Sequence, residues 1–353
     1  MIIDAHGNLL EAEVDALVNT VNTVGVMGKG IALQFKKAFP DMFAEYKRAS
    51  DRGELRLGHV HVYETGRIRP RFIINFPTKR HWRAKSRLED IRAGLVDLSE
   101  RVQALGITSI AVPPLGCGHG GLNWADVRPL IVEALEGIPG VDVLLYAPEG
   151  APPAAELVNR TERPRMTMGR AALVALIARY ADKVADVSLI DVQKLMYFLQ
   201  EAGQPLRLNY VKDRYGPYAD NLRHVLHTVE GHFLIGYGDA TATVHAAEPI
   251  RVLPGAIDEA DAVLSEQPRL GDRIDRVLRL VDGFESPYAM ELLATVHWVT
   301  TKEDPDTATD PGLAAERVAE WNSRKERMFG ADHVRAAWTR LQDEGWLPVL
   351  TSA

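Results

Sequence analysis

Alternation of short apolar runs with amphipathic segments governs the first 146 residues and most restricts how this chain can fold. Apolar runs bounded by turn residues predict β-strands at 14–21, 59–63, 71–76, 107–112 and 141–146. Segments with helical periodicity separate them, at 28–39, 41–50, 86–105 and 124–135. This alternation predicts an α/β domain with a mixed or parallel sheet flanked by helices.

A cluster of proline and glycine at 147–153 marks the end of this domain. We therefore predict an α/β domain over 1–150, a linker over 151–165 and a mainly α-helical domain over 166–353. Helical periodicity in the last part predicts helices at 168–184, 189–201, 218–229, 256–266, 273–281, 288–300, 313–324 and 331–344. A short strand is predicted at 250–253 and a loop at 301–310.

The net charge of −7 comes entirely from the second half of the chain. Residues 1–150 contain 18 basic and 18 acidic residues, which leaves 23 basic and 30 acidic residues for 151–353. An acidic half suits a basic partner and disfavours nonspecific binding to nucleic acid, although the same charge also aids solubility.

The cysteine count and the absence of apolar stretches limit the class of protein. Cys117 is the single cysteine, which excludes an intrachain disulfide and a four-cysteine zinc site. His59 and His61 share one strand face, but no pattern of cysteine or carboxylate completes a metal site, so we expect no metal. No signal peptide or membrane-spanning run of about 20 residues occurs, and we expect a cytoplasmic protein with no membrane contact.

Two glycine-rich loops lie at strand-to-helix junctions. Glycine lets backbone N–H groups approach a phosphate, and a helix N-terminus adds a favourable dipole. Neither loop matches the phosphate-binding loop of ATPases, and each could be a tight turn instead of an anion site. The candidate ligand-binding residues are Gly28, Lys29, Gly30, Gly116, Cys117, Gly118, His119, Gly120, Gly121 and Leu122.

Side chains beside these loops are candidates for binding and proton transfer. Asn19 and Asn22 end the predicted strand before the first loop, where an amide is suited to a ribose hydroxyl or to forming a turn. His119 is suited to substrate contact or proton transfer. Cys117 has no companion base and is more typical of a small buried residue.

The segment 75–83, Asn-Phe-Pro-Thr-Lys-Arg-His-Trp-Arg, follows a predicted buried strand and is unusual for a scaffold. Loops after strands in α/β folds often hold the chemistry. A lysine whose pKa is lowered by apolar groups or other cations becomes a nucleophile, which makes Lys79 the candidate catalytic residue. The alternative is a solvated lysine beside arginines that balance carboxylates.

Together, residues 8–10, 19–22, 28–32, 75–83 and 116–122 resemble the macrodomain family of ADP-ribose-binding α/β domains. The lysine segment is most similar to the DarG antitoxins of DarT–DarG toxin–antitoxin systems. In the second half, 193–200 and 214–222 resemble the helical Panacea or SocA-like antitoxin domain.

The resemblance implies a hydrolase that removes ADP-ribose from modified bases, thymidine or guanosine, in single-stranded DNA. It implies that residues 151–353 bind a DarT-type ADP-ribosyltransferase toxin, and that no cofactor is needed because ADP-ribose is substrate and product. We take thymidine as the expected base. Two alternatives stay open: an ADP-ribose-binding antitoxin without activity, or a hydrolase of ADP-ribosylated proteins or acetylated ADP-ribose.

The resemblance also assigns roles to residues. Lys79 is the catalytic lysine, Asn22 orients the ribose, and the two glycine loops hold the diphosphate. Asn8 and Leu9 are expected to contact adenine. The expected DNA contacts are Arg80, His81, Trp82 and Arg83. Related protein-directed enzymes pair the lysine with an acidic residue in the second glycine loop, where this chain has none and offers His119. Either His119 or a more distant residue protonates the leaving base, or the lysine and the substrate suffice.

Overall fold

The computed structural model describes residues 1–243 and 246–348; the last residues of the predicted helical domain, 349–353, lie outside this part. Contacts divide the chain into two compact units. The first contains Met1–Glu162 with Asp239–Thr241, and the second contains Arg163–Gly238 with Ala242–Ala353. In the described residues, no helix combines the length and the apolar character that crossing a membrane requires.

The first unit is built on a six-stranded sheet. Its strands are β1 (Ile2–Ala5), β2 (Ala16–Asn22), β3 (His61–Glu64), β4 (Phe72–Lys79), β5 (Ser109–Val112) and β6 (Asp142–Tyr146). The spatial order is β1-β6-β5-β2-β4-β3, and every pair is parallel except β3 with β4. The predicted mixed sheet is confirmed, whereas β1 was not predicted from its four residues.

Helices cover both faces of this sheet. They are α1 (Gly30–Ala38), α2 (Pro40–Asp51), α3 (Leu88–Ala104) and α4 (Trp124–Leu135). Alternate β2 side chains enter two separate apolar clusters, with Val18 in the cluster that includes α3 and α4 residues and Leu17 in the cluster that includes α1 and α2 residues. This alternation follows from the two-residue period of a strand and explains why the first three residues of β2, 16–18, are all apolar.

Strand β4 extends further than predicted, to Lys79 instead of residue 76. Proline cannot donate to a ladder and is unusual inside a strand, yet β4 continues through Pro77. Strand β3, however, pairs with β4 only as far as Asn75. Pro77 therefore lies beyond the last β3 partner, where its missing N–H removes no hydrogen bond from that edge. Lys79 consequently lies at the end of a buried strand and not in a loop.

The second unit is mainly α-helical, as predicted. Its helices are α5 (Met168–Ala181), α6 (Leu189–Glu201), α7 (Leu222–Val229), α8 (Ala256–Ser265), α9 (Pro268–Val281), α10 (Pro287–Trp298), α11 (Pro311–Ala319), α12 (Ser323–Met328) and α13 (Ala331–Asp343). Two short antiparallel pairs accompany them: β7 (Tyr210–Asp213) with β8 (Gly216–Ala219), and β9 (Leu234–Ile235) with β10 (Arg251–Val252). A single apolar cluster joins most of these helices.

The prediction of one helix over 218–229 is wrong at its start, where β8 occupies residues up to Ala219. Gly216 has φ +88°, which a helix does not allow. Two side chains of α6 hold the strand: Lys194 Nζ donates to the Pro217 carbonyl at 2.7 Å, and Gln193 Oε1 accepts from Ala219 N at 3.2 Å. Periodicity alone does not reveal such long-range bonds.

The predicted loop at 301–310 is also largely helical. A π-helical turn covers Val299–Glu303 and a 3₁₀ turn covers Pro305–Ala308. The threonine hydroxyls, which suggested a loop, donate to preceding carbonyls instead; Thr301 Oγ1 bonds His297 O at 2.7 Å. The predicted helix over 313–324 is in fact divided, because Asn322 accepts from Lys325 N and begins α12.

Close contact between α3 and β4 fixes the strand that ends in Lys79. We predict that Gly94→Ala lowers the free energy of unfolding by about 1–3 kcal/mol, because a Cβ on Gly94 would lie 2.8 Å from Phe76 Cε1 on the buried face of β4. Urea unfolding measures this change. Gly137→Ala is the matched control, since its Cβ would meet no atom within 4 Å. Equal stability of the two variants would contradict the proposed role of this contact.

Candidate active site

The carboxyl ends of three neighbouring parallel strands, β5, β2 and β4, form the edge of the sheet that carries the site. Ligands of α/β sheets bind at such edges. A shift in register after Val21 places Asn22 opposite Lys79. Beyond the strands, Thr23 N and Thr23 Oγ1 both donate to the Arg80 carbonyl, at 3.1 and 2.9 Å. The structure thus brings the predicted Asn22 and Lys79 together and joins the loops that follow them.

Lys79 is half-buried. Burial lowers the pKa of its ammonium, and the positive charge of Lys85 lowers that pKa further. Among the described residues, no carboxylate lies within ion-pair distance of Lys79 to oppose these effects. A larger fraction of Lys79 is therefore neutral, and able to act as a nucleophile, than for an ordinary surface lysine.

Asn22 organises the loop that leads to the first glycine loop. Its Oδ1 accepts from Val24 N at 3.0 Å and Val26 N at 3.3 Å, while its Nδ2 donates to Val26 O at 2.6 Å. The buried Tyr46 hydroxyl donates to the Asn22 carbonyl at 2.5 Å. These bonds support the turn-forming alternative, and contact between Asn22 and a ribose stays a prediction.

Asn19 lies inside the sheet and not at its edge. The residue is fully buried, and its Nδ2 donates to Asn75 Oδ1 on β4 at 2.8 Å. Asn75 Nδ2 lies 3.3 Å from His61 Nδ1 on β3, so a line of polar side chains crosses the three strands β2, β4 and β3. The Oδ1 atom of Asn19 is buried without a hydrogen-bond partner in the described residues. A scaffold role therefore explains Asn19 better than direct ligand contact.

The first glycine loop is open where the ligand is expected. Gly28 and Lys29 are exposed, and a Cβ on Gly28 would touch only Val26 Cγ1, at 3.8 Å. Gly30 begins α1 with φ +61°, and its N–H donates to the Asp239 carbonyl at 2.9 Å. The positive φ at position 30 favours glycine there, whereas neither φ nor packing explains the glycine at position 28.

The glycines of the second glycine loop differ in how closely they are packed. Gly116 has φ +73°, and a Cβ on it would lie 2.9 Å from Leu122 Cδ1 and 3.0 Å from Ser86 Cβ. A Cβ on buried Gly120 would overlap Ser86 Oγ and the Gly116 backbone. Gly118 is exposed and has empty space within 4 Å. Ser86 packing therefore explains two of these glycines, and Gly118 remains as the point where a ligand is able to approach.

His119 and Cys117 in this loop have shifted pKa values. Burial lowers the His119 pKa, and the charges of Lys29, Lys79 and Lys85 lower it further, against the opposing carboxylate of Asp239. A neutral imidazole near pH 7 is a weak proton donor, which disfavours the predicted acid role. Burial raises the pKa of the Cys117 thiol to about 11, so Cys117 is not a nucleophile at neutral pH.

Asn8 and Leu9, the predicted adenine contacts, both have structural roles. Asn8 caps the 3₁₀ turn Leu9–Glu11, accepting from Leu10 N at 3.0 Å and donating through Nδ2 to Glu156 O at 3.1 Å. Leu9 is buried in the apolar cluster beneath α1 and α2. Neither observation tests the adenine contact, which stays a prediction.

The predicted DNA contacts form an exposed, ordered turn after Lys79. Trp82 is 45% exposed, with the Arg83 guanidinium 4.4 Å from its ring and the His81 ring 5.2 Å away. Two bonds from this turn, Arg83 N to His81 Nδ1 at 3.2 Å and Ala84 N to His81 O at 2.9 Å, fix its shape. A cation stacked on an exposed indole is suited to contact bases and phosphates.

Lys85 is the residue that the sequence analysis missed. Its amine lies against Gly121 of the second glycine loop, and its charge acts on both Lys79 and His119. A signal was present, because residues 65–88 contain eight lysines and arginines and no acidic residue. Within 1–243 and 246–348, no cluster of three or more His, Cys, Asp or Glu side chains is arranged to hold a metal ion.

Gly118 is open and Gly120 is tightly packed, so we predict different effects when each is replaced by alanine. We expect Gly118→Ala to keep the stability of the protein and to weaken ADP-ribose binding about tenfold or more, because the new methyl group enters the open approach to the loop. We expect Gly120→Ala to unfold at a lower urea concentration because its Cβ overlaps Ser86. Calorimetric titration and urea unfolding measure the two effects. Unchanged affinity in Gly118→Ala would remove this loop from the ligand site.

Comparison with known proteins places these features in a family. The macro domain family model matches residues 18–131. A DNA ADP-ribosyl glycohydrolase of Thermus aquaticus is 46% identical over 348 residues, covering 98% of this chain and 94% of the relative. One of Mycobacterium tuberculosis is 45% identical over 354 residues, covering 97% and 99%.

A third relative matches part of the chain. It is a DNA ADP-ribosyl transferase–DNA ADP-ribosyl glycohydrolase fusion protein of Thermosipho africanus, 35% identical over 159 residues, which are 40% of this chain and 41% of the relative. The first two relatives extend over nearly the whole chain, and the resemblance to the DarG proteins is confirmed, whereas the Panacea or SocA-like resemblance of the second half stays a prediction. The chain belongs to the DNA ADP-ribosyl glycohydrolase (DarG) family.

Proposed function

We propose that this protein removes ADP-ribose from a modified base, thymidine, in single-stranded DNA by hydrolysing the N-glycosidic bond. The observation that carries the proposal is the half-buried Lys79, unpaired in the described residues, at the strand edge between two glycine loops. Family membership supports the hydrolytic activity. We further propose that it works in the cytoplasm as the antitoxin of a DarT-type ADP-ribosyltransferase.

In the proposed reaction, neutral Lys79 uses its Nζ lone pair to form a bond to the anomeric carbon of the ribose attached to the base. The carbon–nitrogen bond to the base breaks, and the base takes the electron pair. The proton lost from the Lys79 nitrogen passes to the departing base, so no separate acid is required. Water then attacks the anomeric carbon, the bond from that carbon to Lys79 Nζ breaks, and one proton of the water passes to Nζ. ADP-ribose and neutral Lys79 result. No cofactor takes part.

His119 has a supporting part in this proposal. Its lowered pKa keeps the ring neutral, and a neutral imidazole still donates one N–H hydrogen bond. It therefore orients the substrate beside the second glycine loop instead of protonating the base. The turn 80–83 is proposed to contact DNA on either side of the modified nucleotide, with Trp82 stacking on a base and the arginines near phosphates.

The catalytic assignment predicts the behaviour of Lys79→Ala. We expect release of ADP-ribose from a modified thymidine oligonucleotide to fall by roughly a thousandfold or more, because the nucleophile is lost. ADP-ribose affinity should stay measurable, since the glycine loops are unchanged. Chromatographic quantification of released ADP-ribose and calorimetric titration provide the two readouts, with Lys183→Ala, an exposed ion-paired lysine of the second unit, as control.

Two outcomes would contradict the proposal. Wild-type protein that binds ADP-ribose without releasing it from any substrate would favour a binding antitoxin. If ADP-ribosylated protein or acetylated ADP-ribose were hydrolysed faster than the modified oligonucleotide, the alternative hypothesis of a hydrolase for those substrates would be favoured.

The proposal assigns toxin binding to residues 151–353. The acidic excess of this half and the fusion of the two activities in the Thermosipho africanus relative support it. We predict that a 151–353 fragment binds a DarT-type toxin and that binding weakens as salt rises, because acidic and basic surfaces attract each other. A pull-down at two salt concentrations tests this, after a cooperative melt shows that the fragment is folded. Binding by the 1–150 fragment alone would overturn the assignment.

A further inference from the structure

Lys85 lies across the second glycine loop. From the point where a Cβ of Gly121 would stand, Lys85 Nζ is 3.0 Å away, its Cδ 3.4 Å and its Cε 3.7 Å. Gly121 has φ +78° and is exposed, so the lysine stem covers a bare stretch of backbone at the rim of the loop. The ammonium group therefore lies at the rim of the second glycine loop, and its charge acts on both Lys79 and His119.

The residue that follows Lys85 attaches it firmly to this loop. Ser86 N donates to the Gly120 carbonyl at 3.0 Å, and the Ser86 side chain is buried against Gly116 and Gly120. Movement of Lys85 away from the loop would require breaking this bond and opening a tightly packed contact. The backbone of Lys85 is thus positioned by the loop itself.

Three lysines place positive charge around the second glycine loop. In the described residues, Lys29, Lys79 and Lys85 form no ion pair, and all three act on His119 with the same sign. The Asp239 carboxylate is the one group that opposes them in its effect on His119. It accepts hydrogen bonds from Gln34 Nε2 at 2.7 Å and Thr241 N at 3.1 Å. Within the described part of the chain, none of the three lysines is paired with a carboxylate, and the diphosphate of ADP-ribose would supply the missing partner.

We propose that Lys85 is a positioning residue, whose ammonium binds the diphosphate of ADP-ribose against the second glycine loop and so holds the bond to be broken at Lys79. This inference rests on the proposed function. An ammonium on a flexible stem offers three donors to phosphate oxygens. The backbone N–H groups of the loop then need not neutralise the diphosphate alone.

Lys85 also affects Lys79 before substrate binds. Its positive charge disfavours a second ammonium nearby and so lowers the Lys79 pKa. Removing that charge should raise the Lys79 pKa. Because neutral Lys79 is the active form, the acidic limb of the kcat/KM profile should then move to higher pH. Loss of a lysine with a purely structural role would not move the acidic limb of the kcat/KM profile.

The test compares the full chain with its Lys85→Met and Lys85→Arg variants, and with Lys183→Met as a control for loss of one surface lysine. Calorimetric titration with ADP-ribose should show about a tenfold loss of affinity in Lys85→Met, the size expected of a charge-assisted hydrogen bond. The Lys85→Arg variant should keep most of the wild-type affinity for ADP-ribose. Affinity should fall less steeply with salt in Lys85→Met than in wild type, and melting temperatures without ligand should be unchanged.

Several results would overturn the proposal. Wild-type affinity in Lys85→Met would do so, as would equal losses in Lys85→Met and Lys85→Arg with lowered melting temperatures, which would show a structural role. An unmoved acidic limb of the kcat/KM profile would refute the effect on Lys79. If wild-type protein released no ADP-ribose, the proposed function would fail, while the titrations would still decide whether Lys85 binds the diphosphate.

Discussion

The pairing of β2 with β4 is the constraint on which the whole site depends. Residues of the two strands match one to one up to Val21 and Pro77, after which the register shifts and Asn22 faces Lys79. Because strand side chains alternate between faces, a slip of one residue would turn the lysine to the other side of the sheet. Thr78 Oγ1 donates to the Val21 carbonyl at 3.3 Å and spans the irregular step.

The electrostatics of the site follow from what surrounds Lys79. Burial and the charge of Lys85 act in the same direction on its pKa. A carboxylate in the second glycine loop, as in related protein-directed enzymes, would act in the opposite direction and raise that pKa. The absence of an acidic residue from 116–122 is therefore consistent with a lysine that works as a neutral amine. It also leaves the cations free to attract an anionic substrate.

The sequence was sufficient for the layered architecture and for the residues that meet at the sheet edge, because apolar periodicity and glycine position are local signals. The sequence was insufficient where contacts between residues far apart along the chain determine the secondary structure. Strand β4 continues through Pro77 because it still pairs there with β2, beyond the last partner on β3. Strand β8 replaces the start of a helix because Gln193 and Lys194 bind its backbone. Likewise, the sequence cannot distinguish Gly120, which packs on Ser86, from Gly118, which faces open space.

A comparison of buried lysines in the two units separates structural from functional roles. Burial lowers the pKa of Lys194 to about 7 and that of Lys325 to about 8. Yet Lys194 donates to the Pro217 carbonyl, and Lys325 donates to Glu291 at 2.7 Å and to Thr295 at 2.9 Å.

Their donors are engaged in the fold, and losing either lysine would leave a buried partner unsatisfied. Lys79 has the same direction of pKa shift but is half-exposed, and its side-chain amine has no hydrogen-bond or ion-pair partner among the described residues. A lowered pKa alone therefore does not identify a catalytic lysine. In the first unit, Lys36 also has a lowered pKa, but its amine lies 4.3 Å from the centre of the Phe43 ring. Lys79 combines a lowered pKa and an accessible amine with a position at the carboxyl edge of the sheet, which makes it the candidate.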